Sequence, residues 1–333
     1  TVWPRRDPTW RSWPYRLKSP LNLEKETDHL RRWLAREKPD FVLVILGYHL
    51  NAVTPAAELI RRQIPYAINV QAASTESLDD IYLDEFQTAY TNAEKVFFVS
   101  QENLDRAETT LAIELDHAEI IDNPFNVDWH ANPAWPAADD SFQLACVGRI
   151  HFTSKGQDLL IDVLKQDKWR DRNLSIRLFG DSQGNRTQME RLIERYGLQS
   201  QIQLAGYSEN IEDVWANHHG LILPSRFEGA ALAVVETMLC NRICITTDVG
   251  RNRELIEDGE TGFIAPAATA DLLDTTLETA WQRRGDWQAM GELAGTRIRE
   301  RYSEDPVARV VAAYQDQRCD LHLEPFAFAA SHA

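Results

Sequence analysis

The sequence predicts an α/β protein built from two doubly wound domains, each with a parallel sheet covered by helices. Short apolar runs rich in β-branched residues alternate with helical patterns along almost the whole chain. The runs are continuously apolar rather than alternating, which is typical of strands buried on both faces of a sheet. A proline-rich segment without periodicity, at 123–141, separates two such series, and domain boundaries fall in segments of this kind.

The first series contains four predicted strands. Because four strands are few for a doubly wound domain, we interpret this domain as incomplete, with its first strands ahead of residue 1. It is assigned to residues 1–133. Its predicted strands are FVLVIL at 41–46, YAINV at 66–70, VFFVS at 96–100 and AEII at 118–121, with helical segments between them.

The second series has enough predicted strands for a complete doubly wound domain, which we assign to residues 134–316, followed by a tail at 317–333. Helical patterns close this domain. The predicted strands lie at 142–148, 174–180, 202–206, 220–224, 242–246 and 261–265, and the closing helices at about 270–281, 286–300 and 305–315.

The composition excludes several classes of function. With 44% hydrophobic and 26% charged residues, the 333-residue chain is ordinary globular protein. Its net charge of −16 argues against nucleic acid as a partner. The longest apolar run, 41–47, is far shorter than the roughly 20 residues that cross a membrane. The cysteines Cys146, Cys240, Cys244 and Cys319 show no metal-binding spacing, and we expect a reduced, cytoplasmic protein.

The segment WPRRDPTWRSWPYRLK at 3–18 combines aromatic rings with basic side chains. Such a mixture suits peripheral contact with the inner face of a membrane, or an anionic acceptor. A surface arm whose tryptophans pack on the domain explains the same composition. The sequence leaves both interpretations open.

The first stretch that carries chemistry is CVGRIHFTSKGQDLLIDVL at 146–164. A predicted strand ends at Gly148 and a helix begins near Gly156. Arg149 and Lys155 therefore lie at the carboxyl edge of the sheet, where open α/β sheets bind their ligands. Two cations beside a helix N-terminus suit a diphosphate, although a solvated loop also explains such a pair.

The second stretch is SRFEGAALAVVETMLC at 225–240, which holds two acids on either side of an uncharged run. Glu228 falls just before a helix predicted at 230–240, and Glu236 lies about 9 Å along it. A lone carboxylate among apolar residues is costly to bury unless it is paired. A sugar diol offers two hydroxyl donors to such a group. The alternative is that Glu236 points outward and Glu228 is a surface acid.

These stretches together resemble the retaining glycosyltransferases of family four (group 1), whose fold is two facing Rossmann-like domains, known as GT-B. The resemblance lies in the order strand–GRx₅KG–helix, strand–FG, strand–AGY and strand–PSRFEGx₆E, ending in TTDVGRNRELIEDGETGFIAP at 246–266. It is specific over 146–266. In the first half it is looser, carried by VFFVSQENL at 96–104 and IIDNPFNVD at 120–128.

The resemblance implies a role for each matching residue. Arg149 and Lys155 neutralise the diphosphate of the donor, and Glu228 lies close to the transferred sugar, so these three are the expected catalytic residues. Glu236 binds the ribose hydroxyls, in agreement with the diol argument above. The remaining expected donor contacts are Gly148, Gly180, Gly229, the amides of Ala230, Ala231 and Leu232, and, around the base, Gly206 and Tyr207.

The implied reaction transfers a sugar from a UDP-, GDP- or ADP-linked donor to a glycan, a glycolipid or another hydroxyl acceptor, with retention and without a metal or resident cofactor. Three departures from the family are visible: no glycine-rich loop near the start, EGAALA after the first acid, and Gln71 where many members carry a histidine. Gln71 is a candidate sugar contact. A catalytically inactive binding subunit, or another GT-B enzyme such as a nucleotide-sugar epimerase or a phosphorylase, are the alternatives.

Overall fold

A computed structural model describes residues 20–73, 78–136, 141–180 and 184–315 of the chain. The predictions that fall on the basic and aromatic segment at 3–18, on Cys319 and on the tail at 317–333 lie outside these residues. Cys146, Cys240 and Cys244 are free thiols and are buried, as the sequence predicts. No helix in the described ranges combines the length and the apolar character that a membrane crossing needs.

The first domain contains a parallel sheet in the order β1-β2-β3-β4, and all four predicted strands are confirmed. The strands are β1 (Val42–Leu46), β2 (Tyr66–Val70), β3 (Lys95–Phe98) and β4 (Ala118–Ile120). The helices are α1 (Pro20–Glu37), α2 (Val53–Arg61), α3 (Leu83–Thr91) and α4 (Gln101–Leu111).

The expectation that every strand is buried on both faces is wrong for β1. Val44 and Leu46 pack into the core of this domain, whereas Leu43 and Ile45 are 36% and 63% exposed. Among the described strands, β1 lies at one edge of the sheet, and only one of its faces meets the core. Its continuous apolar run therefore hides an alternation of burial that the sequence pattern does not reveal.

The second domain contains a parallel sheet in the order β10-β9-β8-β5-β6-β7, which confirms a doubly wound domain. Its strands are β5 (Phe142–Val147), β6 (Leu174–Phe179), β7 (Ile202–Gly206), β8 (Gly220–Leu223), β9 (Ile243–Thr247) and β10 (Gly262–Ala265). Its helices are α5 (Phe152–Lys155), α6 (Asp158–Leu164), α7 (Asp167–Arg170), α8 (Arg186–Tyr196), α9 (Ile211–Ala216), α10 (Leu232–Leu239), α11 (Asn252–Leu255), α12 (Ala270–Gln282), α13 (Trp287–Arg301) and α14 (Pro306–Gln315).

Of two helices near the expected site, one begins near Gly156 as the sequence predicts, and the other begins two residues later than predicted. A short helix, α5, contains Lys155, and Gly156 ends it with φ of +63° before α6 begins at Asp158. Only glycine fits there, because a Cβ at Gly156 would lie 2.0 Å from the carbonyl oxygen of Pro224. The second helix, α10, begins at Leu232 rather than at residue 230, so Glu236 lies about 6 Å from its start.

A buried arginine of the second domain forms hydrogen bonds with the linker between the domains. Arg242 donates hydrogen bonds to the carbonyl oxygens of Pro133 and Ala134 in the linker, and of Trp215 and His218 beside β8. Burial lowers the pKa of this guanidinium to about 10. Further along the chain, α14 returns to the first domain, where Val310 packs against its small apolar cluster.

Candidate active site

Three glycines form a row at the carboxyl ends of β5, β6 and β7. Gly180 donates its N–H to the carbonyl oxygen of Gly206 at 2.8 Å. A Cβ at Gly180 would lie only 2.1 Å from the carbonyl oxygen of Gly148, so a side chain there would force the two strand ends apart. The structure thus brings together Gly148, Gly180 and Gly206, and leaves bare backbone at the edge where ligands bind in open α/β sheets.

Lys155 and Glu228 form a shielded ion pair at this edge. The Lys155 Nζ donates to Oε1 of Glu228 at 2.6 Å, and the hydroxyl of Ser225 donates to the same oxygen at 2.6 Å. A Cβ at Gly148 would lie 3.7 Å from the Lys155 side chain, so the lysine runs past the end of β5. The arrangement places one cation beside one carboxylate in a partly dry setting, where charge interactions are strong.

The loop that carries Glu228 is wedged between the two domains. A Cβ at Gly229 would lie 1.7 Å from the carbonyl oxygen of Gln71, which follows β2 of the first domain. From the other side, Arg251 donates its N–H to the carbonyl oxygen of Gly229 at 3.0 Å. Asn103 of α4 reaches the carbonyl oxygen of Glu228 at 3.4 Å. Both domains therefore fix the position of this loop.

The residues after this loop offer backbone donors. The amides of Ala230, Ala231 and Leu232 form no hydrogen bond with the part of the chain that the structure describes. They stand at the N-terminus of α10, whose N-cap Ala231 has no capping side chain. Orphan amides at a helix start attract anions. The small side chains of the two alanines leave them approachable.

Glu236 is buried and has a protein partner that the sequence does not reveal. Only 5% of the residue is exposed. Its Oε1 accepts hydrogen bonds from the backbone N–H and from Nδ2 of Asn126, at 3.0 and 2.9 Å. Burial raises the pKa of the Glu236 carboxyl, and the Asn126 donors oppose that rise. The alternative in which Glu236 points outward is wrong.

Two of the expected residues stand apart from the ion pair. The side chain of Arg149 is exposed and forms no hydrogen bond or ion pair within the described ranges. Tyr207 is 77% exposed at the end of β7. Arg149 follows β5 and Tyr207 follows β7, so both lie at the carboxyl edge of the sheet, and both remain accessible to a ligand.

Gln71 follows β2 next to the loop that carries Glu228, and its side chain is engaged within the protein. Its Nε2 donates to Oδ1 of Asn69, and its Oε1 accepts from Nδ2 of Asn123, both at 2.8 Å. This amide chain joins β2 to the linker between the domains. One N–H of Nε2 and one lone pair of Oε1 remain for a sugar contact, and the two bonds restrict the direction of that contact.

Three polar residues that bind the two acids could not be predicted from the sequence. Ser225 and Asn126 bind the carboxylates, and Asn103 binds the backbone of Glu228. The sequence indicates only that two carboxylates are buried. Because burial of an unpaired carboxylate is unfavourable, hydrogen-bond donors are expected near them. Donors from the linker and from α4 could not be located because they are distant in sequence. Among the described residues, no group of three or more His, Cys, Asp or Glu side chains is arranged to hold a metal ion.

The fold is that of the GT-B glycosyltransferases. HepE from Anabaena, solved in complex with UDP and glucose, superimposes with a TM-score of 0.70 at 18% identity, over 91% of this chain and 84% of HepE. Residues 141–281, which contain the glycine row and both acids, match the family model described as "Glycosyl transferases group 1". This part of the chain is similar to the group 1 glycosyl transferases, and the expected resemblance to that group is confirmed.

Relatives of known sequence carry similar names. Alpha-D-kanosaminyltransferase from Streptomyces kanamyceticus is 31% identical over 130 residues, which is 38% of this chain and 33% of that protein. An uncharacterized glycosyltransferase from Methanocaldococcus jannaschii is 30% identical over 196 residues, 58% of this chain and 51% of that protein. The match spans about a third and about half of the length of these two relatives.

Proposed function

We propose that the protein transfers a sugar, with retention of anomeric configuration, from a nucleoside-diphosphate sugar to a hydroxyl group of a glycan or lipid-linked acceptor. The observation that carries this proposal is the Lys155–Glu228 ion pair beside the unbonded amides that begin α10. A cation and free amides converge there on space that suits a diphosphate next to a sugar. The domain family and the UDP and glucose bound by HepE support the same conclusion.

The reaction needs stabilisation of the charge that develops on the leaving diphosphate. Lys155, the exposed guanidinium of Arg149 and the amides of α10 supply it in this scheme, with no metal or resident cofactor. The bond from the anomeric carbon to the diphosphate oxygen breaks first, which leaves an oxocarbenium-like sugar. The acceptor hydroxyl then attacks from the face that the diphosphate leaves, and its proton passes to the departing diphosphate oxygen. Glu228 lies beside the positively charged sugar in this scheme.

The nucleoside extends along the other side of α10. Glu236 accepts hydrogen bonds from the ribose hydroxyls, and the base lies against the backbone near Gly206 and Tyr207. Because these base contacts are made mainly by backbone atoms, UDP, GDP and ADP all remain candidate leaving groups. The acceptor enters from the side of the first domain. If the acceptor is lipid-linked, we propose that the protein acts at the cytoplasmic face of a membrane.

A binding subunit without catalysis is the second candidate. The observation that favours it is the engaged Gln71 side chain, together with the tight packing of its carbonyl oxygen against Gly229. This packing narrows the space between the domains where the reaction would occur. Such a subunit retains the nucleotide site and loses turnover.

Isothermal titration calorimetry with UDP, GDP and ADP tests the proposal, on the wild type and on Glu236→Ala. We expect one nucleotide to bind the wild type and to bind the variant more weakly. Donor hydrolysis and transfer are then followed by proton NMR, in which the anomeric coupling reports retention. If no nucleotide binds, the site assignment is wrong; binding without any hydrolysis or transfer supports the binding subunit.

A further inference from the structure

The linker between the domains supplies both donors that bond the Glu236 carboxylate. The backbone N–H and Nδ2 of Asn126 both donate to Oε1. Oε2 forms no hydrogen bond with the described portion of the chain. Glu236 belongs to α10 of the second domain, whereas Asn126 follows the last strand of the first domain. One oxygen of the acid is therefore engaged by the linker and the other is not.

The linker is held in place on both sides of Asn126. The N–H of Asn123 donates to the hydroxyl oxygen of Tyr302 at 2.9 Å, and this hydroxyl donates to the carbonyl oxygen of Asn123 at 2.8 Å. On the other side, the N–H of Asp128 donates to Oε1 of Glu212 at 2.9 Å. The two donors of Asn126 are thus positioned before a ligand arrives. Two bonds to one oxygen also restrict rotation of the Glu236 carboxylate. A side chain that binds a ligand is usually held in place by neighbouring residues in this way.

We propose that Asn126 is a positioning residue for nucleoside recognition: it holds Glu236 so that Oε2 accepts hydrogen bonds from the ribose hydroxyls of the donor. This inference rests on the proposed function. The site then selects ribonucleotides over dideoxyribonucleotides, because a ligand that covers Oε2 without offering a hydroxyl leaves this oxygen unpaired. The linker thereby contributes directly to nucleotide specificity.

The opposite arrangement is one in which Asn126 occupies the place of the ribose and must leave before binding. Its backbone N–H makes one of the two bonds, and that group moves only with the linker. The linker is anchored by Tyr302 and Glu212, so displacement is costly. Both bonds also fall on the same oxygen. These contacts favour a role for Asn126 in positioning Glu236 over one in occupying the ribose site.

The test compares Asn126→Ala with Asn132→Ala, a control in the same linker. Both side chains are exposed, and Asn132 accepts a hydrogen bond from Asn241 away from the site. Calorimetry uses whichever of UDP, GDP and ADP binds the wild type most tightly, and its 2′,3′-dideoxy form. We expect Asn126→Ala to bind the ribonucleotide about tenfold more weakly and the dideoxy form almost unchanged. The control keeps the wild-type preference for ribose.

Each other outcome overturns the inference. An equal loss for both nucleotides in Asn126→Ala, with a lower melting temperature, means that Asn126 acts only on the fold. Tighter binding by the variant means that the amide competes with the ribose. A wild type that binds both nucleotides equally refutes ribose selection while the proposed function stands, whereas a wild type that binds none refutes both. Asn126→Asp serves as a second variant of the same size, and we expect it to lose at least as much affinity because like charges then meet at Glu236.

Discussion

The Lys155 ammonium lies 2.6 Å from Oε1 of Glu228, at the carboxyl edge of the second sheet. The two residues follow β5 and β8, which are adjacent and parallel, so the sheet brings their ends together. Only 20% of the lysine side chain and 8% of the glutamate side chain are exposed. In the proposed reaction, a cation held in this way is in place before the diphosphate binds, and its charge needs no rearrangement.

Lys155→Met is expected to weaken nucleoside-diphosphate binding by about 1.5–3 kcal/mol, the range for a hydrogen bond to a charged group. The loss arises because the variant removes the shielded cation and leaves Glu228 without its counter-ion. Calorimetry with the tightest-binding nucleotide measures it. The matched control is Lys168→Met, which breaks an ion pair with Asp274 outside the site. An unchanged dissociation constant in Lys155→Met removes this lysine from the diphosphate site.

Gly229→Ala is expected to lower turnover on the order of 100-fold, because its Cβ would collide with the carbonyl oxygen of Gln71 and displace the domains. Nucleotide affinity is expected to fall by a smaller factor, because Glu236 and Gly206, two of the proposed nucleotide contacts, lie outside the loop that carries Gly229. Steady-state kinetics and calorimetry separate the two effects. Gly285→Ala is the control, because a Cβ there meets no atom within 4 Å. Full turnover in Gly229→Ala contradicts the close contact between the domains.

Arg251→Met is expected to lower the free energy of unfolding by about 3–5 kcal/mol, the usual cost of removing one partner of a buried ion pair. Its Nη1 lies 2.5 Å from Oδ1 of Asp122, whose side chain is only 1% exposed. Urea denaturation measures the change. Arg253→Met breaks an exposed pair with Asp248 and is expected to cost at most about 1 kcal/mol. Similar losses in the two variants contradict the special cost of the buried pair.

His218 is expected to make the protein less stable in acid. Burial lowers the pKa of His218 to about 4, while its Nδ1–H donates to the carbonyl oxygen of Val214. Because the unfolded chain binds the proton more readily, stability is present above the unfolded pKa near 6.5 and falls as the pH drops towards 4. The full loss is about 3 kcal/mol, at roughly 1.4 kcal/mol for each pKa unit.

Denaturation of the wild type and of His218→Phe between pH 7 and pH 4 measures this dependence. The variant removes the titrating group, so its stability curve flattens in that window. His130→Phe, at an exposed position, serves as the control and keeps the wild-type slope. Identical slopes in the wild type and in His218→Phe contradict the assignment.

The strands could be predicted because strand formation in a parallel sheet depends on local runs of apolar, β-branched residues. YAINV at 66–70 and IQLAG at 202–206 coincide with β2 and β7. A helix begins near Gly156 as predicted, whereas α10 begins at Leu232 rather than at residue 230, because contacts across the fold determine such boundaries. At Gly156 the deciding contact is with Pro224, which lies at the end of another strand.

The candidate site could be predicted as far as it depends on strand ends. Glu228 and Lys155 follow predicted strands, and parallel strands bring their carboxyl ends to one edge, so their shared edge follows from the sequence. Their proximity depends on the pairing of β5 with β8, which the sequence does not predict. The direct ion pair between Lys155 and Glu228 could not be predicted, because it depends on the directions of the two side chains. The same limit applies to Glu236, whose partner was expected to be a sugar diol and includes Asn126.

By itself the sequence determined the α/β class, the six strands of the second domain, the sheet edge of the candidate site and the two acids proposed for it. These depend on periodicity and spacing, which are local properties of the chain. Only the tertiary structure decided which polar groups stabilise those acids, and that Gln71 and Asn126 bring the first domain and the linker to them. A buried charge requires a partner wherever the fold can supply one, and residues that meet across two domains are not adjacent in any sequence pattern.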